Sequence, residues 1–183
     1  MCRLAVAGQC TVAIDDAGVL EADRPLMVAQ SADVIWAAAC AVDGRVYRYR
    51  LDVAPGHVTH VELTGGARLR LLGVSWLSAS VAVVCDNSTL EFALPAPVTL
   101  CRLSVLATGT GRVTSCTRAF VRRLDAQLDG RACIDGLYVA DDACVVSQNR
   151  LAGAHLHVHR GTRCAGNGVH VQDMAAHVSS FVR

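Results

Sequence analysis

From Leu103 the chain reads Leu103-Ser104-Val105-Leu106-Ala107-Thr108-Gly109-Thr110-Gly111-Arg112-Val113, and twenty-one residues later the same theme returns in Leu124-Asp125-Ala126-Gln127-Leu128-Asp129-Gly130-Arg131-Ala132-Cys133-Ile134. The leucine, the small residue two places on, the first glycine (Gly109, then Gly130) and the closing β-branched residue are kept. A more divergent third copy runs from Ala143 to Leu151, with Asn149 where the glycine stood.

An internal repeat constrains a fold more tightly than local propensity does. Alternating residues bury one face of a strand, a glycine or asparagine accepts a bend or a positive φ, and a second short strand continues inward. One such unit cannot bury its apolar side alone. Stacked about 4.8 Å apart, successive units pair every backbone group with the layers above and below and turn the core into columns of like residues. A step near twenty residues fits such a coil, whereas a meander would need hairpin turns at the same places. The resulting expectation is an all-β, parallel β-helix-like solenoid over residues 57–183, with a β-rich N-terminal cap or assembly arm over residues 1–56. Together these make one continuous folding unit, as expected for 183 residues. A β-sandwich or barrel is the alternative.

The core must be built without rings: 52% of residues are apolar but only 4% are aromatic, so Val, Leu, Ala and Cys have to fill many thin layers. Asp15-Asp16-Ala17-Gly18, Asp43-Gly44, Gly65-Gly66 and Cys85-Asp86-Asn87-Ser88 are turn signals between short apolar runs. Alternation from Arg45 to Val53 puts Tyr47, Tyr49, Leu51 and Val53 on the inner face, and that from His57 to Leu63 does the same for Thr59, Val61 and Leu63. Ser80–Cys85 and Leu90–Leu94 continue the theme before Pro95 and Pro97 interrupt it. Thr117–Gln127 carries helix formers, but Leu124, Ala126 and Leu128 alternate with Asp125, Gln127 and Asp129, which predicts a strand.

The unit at Leu103–Val113, its echo at Leu124–Ile134 and the following Ala140-Asp141-Asp142-Ala143-Cys144-Val145 resemble the bacterial auto-transporter adhesin, head GIN domain family, over about residues 58–158. The resemblance implies a right-handed β-helix-like fold of surface-associated proteins without known catalysis. It makes a surface adhesin that binds a glycan or a protein one of the readings.

Candidate chemical groups are few. In His155-Leu156-His157-Val158-His159, a strand would set His155, His157 and His159 on one face. That spacing could bind zinc, copper or nickel, with Cys164, His170 or Asp173 completing the shell; a solvated stripe opposite Leu156 and Val158 is the simpler reading. Asp125, Asp129, Asp135, Asp141 and Asp142 lie along the repeats and invite comparison with the acid and base of solenoid glycosidases. Their alternation with apolar residues reads instead as exposed charge, so no catalytic residue is assigned. Gly109, Gly111 and Gly130 are turn glycines and not a phosphate cradle, because no helix follows them. Trp36 and Trp76 fall in apolar runs and read as core or interface anchors.

Nine cysteines without Cys-x-x-Cys spacing read as reduced thiols packed as small hydrophobes. The net charge of +1, with arginines and aspartates interspersed, gives no electrostatic support to nucleic-acid binding. The N-terminal apolar run is too short for a secretory core or a membrane span, which predicts cytoplasmic synthesis without a signal peptide. The combined expectation is a non-enzymatic structural protein that binds itself and needs no cofactor, such as a virion or coat component or a surface layer. A surface adhesin and a carbohydrate-active solenoid enzyme are the alternatives.

Overall fold

Leu103 lies beside Leu124, Val105 beside Ala126 and Ala107 beside Leu128, all in one parallel ladder. The repeat seen in the sequence is therefore a repeat in space. The computed structural model describes residues 2–40 and 47–139 and the strands 144–148, 155–159, 164–165, 169–173 and 178–182, with side chains through Leu137 except those of Thr117 and Arg118.

The strands in chain order are β1 (Cys2–Ala7), β2 (Thr11–Ile14), β3 (Val19–Ala22), β4 (Leu26–Gln30), β5 (Val34–Ala39) and β6 (Tyr47–Arg50). Next come β7 (Val58–Thr64), β8 (Arg68–Leu71), β9 (Leu77–Asp86), β10 (Thr89–Phe92), β11 (Val98–Thr108) and β12 (Arg112–Leu128). The series ends with β13 (Cys133–Val139), β14 (Cys144–Gln148), β15 (His155–His159), β16 (Cys164–Ala165), β17 (Val169–Asp173) and β18 (Val178–Val182). The protein is all-β, and these strands form one sheet curled into a nearly closed, barrel-like wall around one core.

Two columns of parallel strands make up the wall. The long column stacks β1, β7, β9, β11, the second half of β12, β14 and β16. The short column stacks β2, β8, β10, the first half of β12, β13, β15 and β17. The chain passes from long to short column through a tight turn and returns through a wider corner. Leu63, Cys85, Ala107 and Leu128 are successive register partners in the long column, and Leu69, Leu90, Val113 and Ile134 in the short one. These eight side chains are essentially inaccessible to solvent. Burying each large aliphatic one is worth about 1.5–3 kcal/mol relative to leaving it in water.

The ladder starts well before Leu103. Val61 is matched by Val83 twenty-two residues on, and Leu69 by Leu90 twenty-one residues on. The third copy is displaced by one residue from the sequence reading: Leu124 stands opposite Cys144 and not Ala143. One residue matters because it exchanges the inner and outer faces of a strand. The segment Thr117–Gln127 is strand, as its alternation predicts. The inner faces are also as read: Tyr49 and Val53 pack on the core and Leu51, Val61 and Leu63 are buried, while Arg48, Arg50 and His60 are exposed. Val58, read as outward, is buried and Thr59, read as inward, is half-buried, because β7 carries one extra residue against β1 where Cys2 faces Val58 and Arg3 faces His60.

Among the described residues, antiparallel pairing is confined to the two ends of the stack. At one end β2 pairs with β3, β3 with β6 and β4 with β5; at the other β17 pairs with β18. β1 is flanked by parallel partners on both sides, β5 and β7, so parallel pairing joins strands on the two sides of residue 57. The N-terminal end is also clasped. The Tyr49 hydroxyl donates to the Leu26 carbonyl at 2.7 Å, and the Gln30 side chain donates to the Asp52 carbonyl at 2.6 Å and accepts from its N–H at 3.1 Å. These bonds tie the last strand of the long column to the chain ending the short one.

Candidate functional site

Each tight turn holds left-handed backbone: Gly8, Gly65 with Gly66, Asn87, Gly109 and Gly130 follow one another up the stack. The turns touch. A β-carbon on Gly130 would lie 3.0 Å from the Gly109 carbonyl oxygen, so the bend that needs left-handed backbone also leaves no room for a side chain there. Asn87 takes the glycine's place one turn below. Its Oδ1 accepts from the Thr110 N–H at 3.1 Å, and its Nδ2 donates at 3.1 Å to Asp86 Oδ1, which also receives the Thr108 hydroxyl at 2.7 Å. Gly111 has a different reason to lack a side chain: its β-carbon would meet the Cys85 carbonyl oxygen at 2.2 Å.

The outward side of the long column is a sheet face. One row of register partners there is Trp36, Ala5, Glu62, Val84, Leu106 and Gln127; its neighbour is Val34, Arg3, His60, Ala82, Ser104 and Asp125. Apolar groups stand in water on this side: Met27 is 58% exposed, Val34 37% and Leu106 37%. Leu106 borders a shallow depression of about 310 Å³ floored by Ala82, Val84 and Ser104. Charge is local and compensated near the centre, where Arg3 pairs with Glu62 at 2.9 Å.

The short column carries a cluster on its outer side. Glu91, its side chain only 7% exposed, accepts from Arg68 at 2.7 Å and lies 3.3 Å from Arg70. The Cys116 thiol donates to its other oxygen at 3.2 Å. Burial pushes the Glu91 carboxyl up, but the bonds from Cys116 and Arg68 and the two guanidinium charges outweigh it and hold the group below its usual range. The same contact raises the Cys116 thiol, with burial as a smaller cause. The sequence reading missed this cluster. The signal was available, since Arg70 and Glu91 are twenty-one residues apart and stand directly opposite one another.

The residues singled out in the sequence are dispersed. Asp125 is bound by both Arg102 at 2.7 Å and Arg123 at 3.1 Å, and Asp129 Oδ1 accepts from the Gly130 N–H at 2.8 Å, closing its turn. Asp135 is exposed on β13. Asp141 and Asp142 lie outside the described residues. His155, His157 and His159 lie on β15 with His155 opposite Cys133 and His159 opposite Tyr138; their side chains are outside the description, as are those of Cys164, His170 and Asp173. Among the described residues no group of three His, Cys, Asp or Glu side chains could hold a metal ion, and no helix is long and apolar enough to cross a membrane.

Trp76 is buried at the corner before β9, its indole N–H donating to the Asp15 carbonyl at 3.1 Å, whereas Trp36 is half-buried on the outer face. The seven described cysteines are free thiols. Burial pushes Cys85 up to about 12 and, with Asp23 nearby, Cys10 up to about 11.

No family model, curated protein or solved structure matches the chain.

Proposed function

We propose that the chain is a right-handed, β-helix-like solenoid serving as a non-enzymatic structural protein that associates with itself, as a coat, shell or surface layer requires. Register steps near twenty-one residues support the coil, from Leu69 to Leu90, Leu90 to Val113 and Val113 to Ile134 in the short column and from Leu63 to Cys85, Ala107 and Leu128 in the long one. Antiparallel strands at both ends are the usual means of stopping such a ladder from pairing further.

The observation that carries the functional reading is the outer side of the long column at β9 and β11, where exposed Leu106 stands beside Val84 and a depression floored by Ala82 and Ser104. Exposed apolar area of this kind marks an interaction surface in a protein that must stay dissolved. Two of the aspartates that a glycosidase reading would employ already have structural partners, Asp125 in its arginine pair and Asp129 in its turn.

Size-exclusion chromatography with light scattering, followed by negative-stain microscopy, tests the proposal. Discrete oligomers, shells or sheets are expected. A monomer at the highest soluble concentration overturns it, and a glycan-hydrolysing activity lost in Asp129→Asn and Asp135→Asn would replace it with the enzyme reading.

A further inference from the structure

We infer that the outer face of the long column pairs with the same face of a second copy, about a twofold axis parallel to the stacking direction. The inference rests on the self-association proposed above and names the surface and symmetry involved.

The face is self-complementary. A twofold along the stack, lying between two apposed faces, leaves each layer opposite its own copy but reverses the strand direction. The row holding Val84 and Leu106 then lies over the partner's row of Ala82 and Ser104. Large side chains thereby meet small ones in every layer from β9 to β11, and Leu106, 37% exposed, is directed at the depression floored by Ala82 and Ser104. A C2 interface demands this property, since the same patch must be both knob and hole.

Charge obeys the same operation. One flank of the face carries Arg102 and Arg123, which share the single carboxylate of Asp125 and so leave a net positive charge. The opposite flank carries Asp86, exposed, its carboxylate held over β11 by the Thr108 hydroxyl at 2.7 Å. Reversal of strand direction brings Arg102 of one copy to the Thr108–Asp86 end of the other, twice per dimer. Near the centre His60 and Glu62, two residues apart on β7, exchange places in the same way.

The area suffices. On this side seven strands lie side by side, β4 and β5 beyond the long column followed by β1, β7, β9, β11 and β12. At about 4.8 Å per strand and about 3.3 Å per residue they present roughly 700 Å² in projection, close to the ~800 Å² per partner of a stable interface.

Sedimentation velocity on the full chain tests this with Leu106→Arg, Asp86→Arg and Arg102→Glu, each checked for native circular dichroism and urea midpoint. Wild type is expected to dimerise. Leu106→Arg should weaken the dimer about a hundredfold, and each charge reversal alone about tenfold or more, because like charges then meet at both flanks. Mixing Asp86→Arg with Arg102→Glu restores opposite charges at both flanks, so the mixture should associate within a few-fold of wild type. A wild-type oligomer unchanged by all three substitutions refutes this face but leaves self-association standing. Dimers weakened by each reversal yet not rescued by mixing refute the twofold. A monomeric wild type refutes both.

Discussion

Two glycines separate backbone strain from crowding. Gly56 has φ of +69° and open space around its missing side chain, whereas Gly111 lies outside the left-handed region but has the Cys85 carbonyl oxygen 2.2 Å from where a β-carbon would sit. Gly56→Ala therefore meets only the left-handed conformational cost, about 1–2 kcal/mol, offset by about 0.4–1 kcal/mol of lost unfolded-chain entropy. Its net effect should be near 1 kcal/mol or less by the same reckoning.

Gly111→Ala must instead move one layer away from the next by more than 1 Å to reach ordinary contact distance. That shift acts on the bonds from Arg112 N–H to the Ser88 carbonyl at 2.8 Å and from Cys133 N–H to the Gly111 carbonyl at 2.9 Å. Losing two ladder bonds at about 1 kcal/mol each, with overpacking of about 1–3 kcal/mol, gives a cost of roughly 3–5 kcal/mol. Urea unfolding followed by tryptophan fluorescence measures both variants, buried Trp76 being the reporter. The expected result is a Gly111→Ala midpoint well below that of Gly56→Ala with an unchanged denaturant slope. Equal midpoints would mean that neighbouring layers are not in close contact at this turn, and the account of the stack given above would be wrong.

Glu91→Gln should cost about 1–2 kcal/mol at neutral pH, through weakened bonds to Arg68 and Cys116. Because the folded state holds this carboxyl below its ordinary 4.5, its contribution is complete above that value and is lost as pH falls through the lower folded one; a variant-to-wild-type difference that stays constant into acid would refute the assignment. Thiol alkylation read by peptide mass spectrometry should label exposed Cys40 and Cys101 first, Cys116 more slowly because Glu91 holds its proton, and Cys85 only on unfolding, so early Cys85 labelling would contradict the buried column. Asn87→Gly should cost about 1 kcal/mol for the bonds to Thr110, and Asn87→Ala about 1–2 kcal/mol more for placing a β-carbon at φ of +49°; denaturation midpoints in the reverse order would exclude the strained turn.

Much of the architecture was legible wherever glycine marked the turn. Gly109 and Gly130 made the step from Leu103 to Leu124 visible, and the alternation of Leu124, Ala126 and Leu128 overrode the helix formers around Arg122 and Gln127. Earlier layers were hidden because their turns are spelled differently, Gly65-Gly66 in one and Asp86-Asn87-Ser88 in the next. Asparagine tolerates the left-handed region through its own short hydrogen bonds, so a search for glycines passes over it. The Glu91 cluster was missed for a related reason, its twenty-one-residue spacing carrying meaning only once the step between layers is known. Its partners are neighbours only across layers, and without the step from Leu69 to Leu90 nothing in the sequence joins Arg68 and Arg70 to Glu91. The exposed apolar row was equally out of reach, since Leu106 reads as one more aliphatic until its layer is known to face outward.

The clasp of Tyr49 and Gln30 over the N-terminal strands bears on what an assembly of this protein can be. A parallel ladder ending bare would offer its free backbone edge to the opposite end of another molecule, and head-to-tail contact of that kind extends without limit into a thread. With the chain turned back on itself at Leu26–Gln30, lengthening is blocked at that pole, and molecules that join must do so broadside. An assembly built through the face proposed above would then widen across the stack instead of lengthening from this pole.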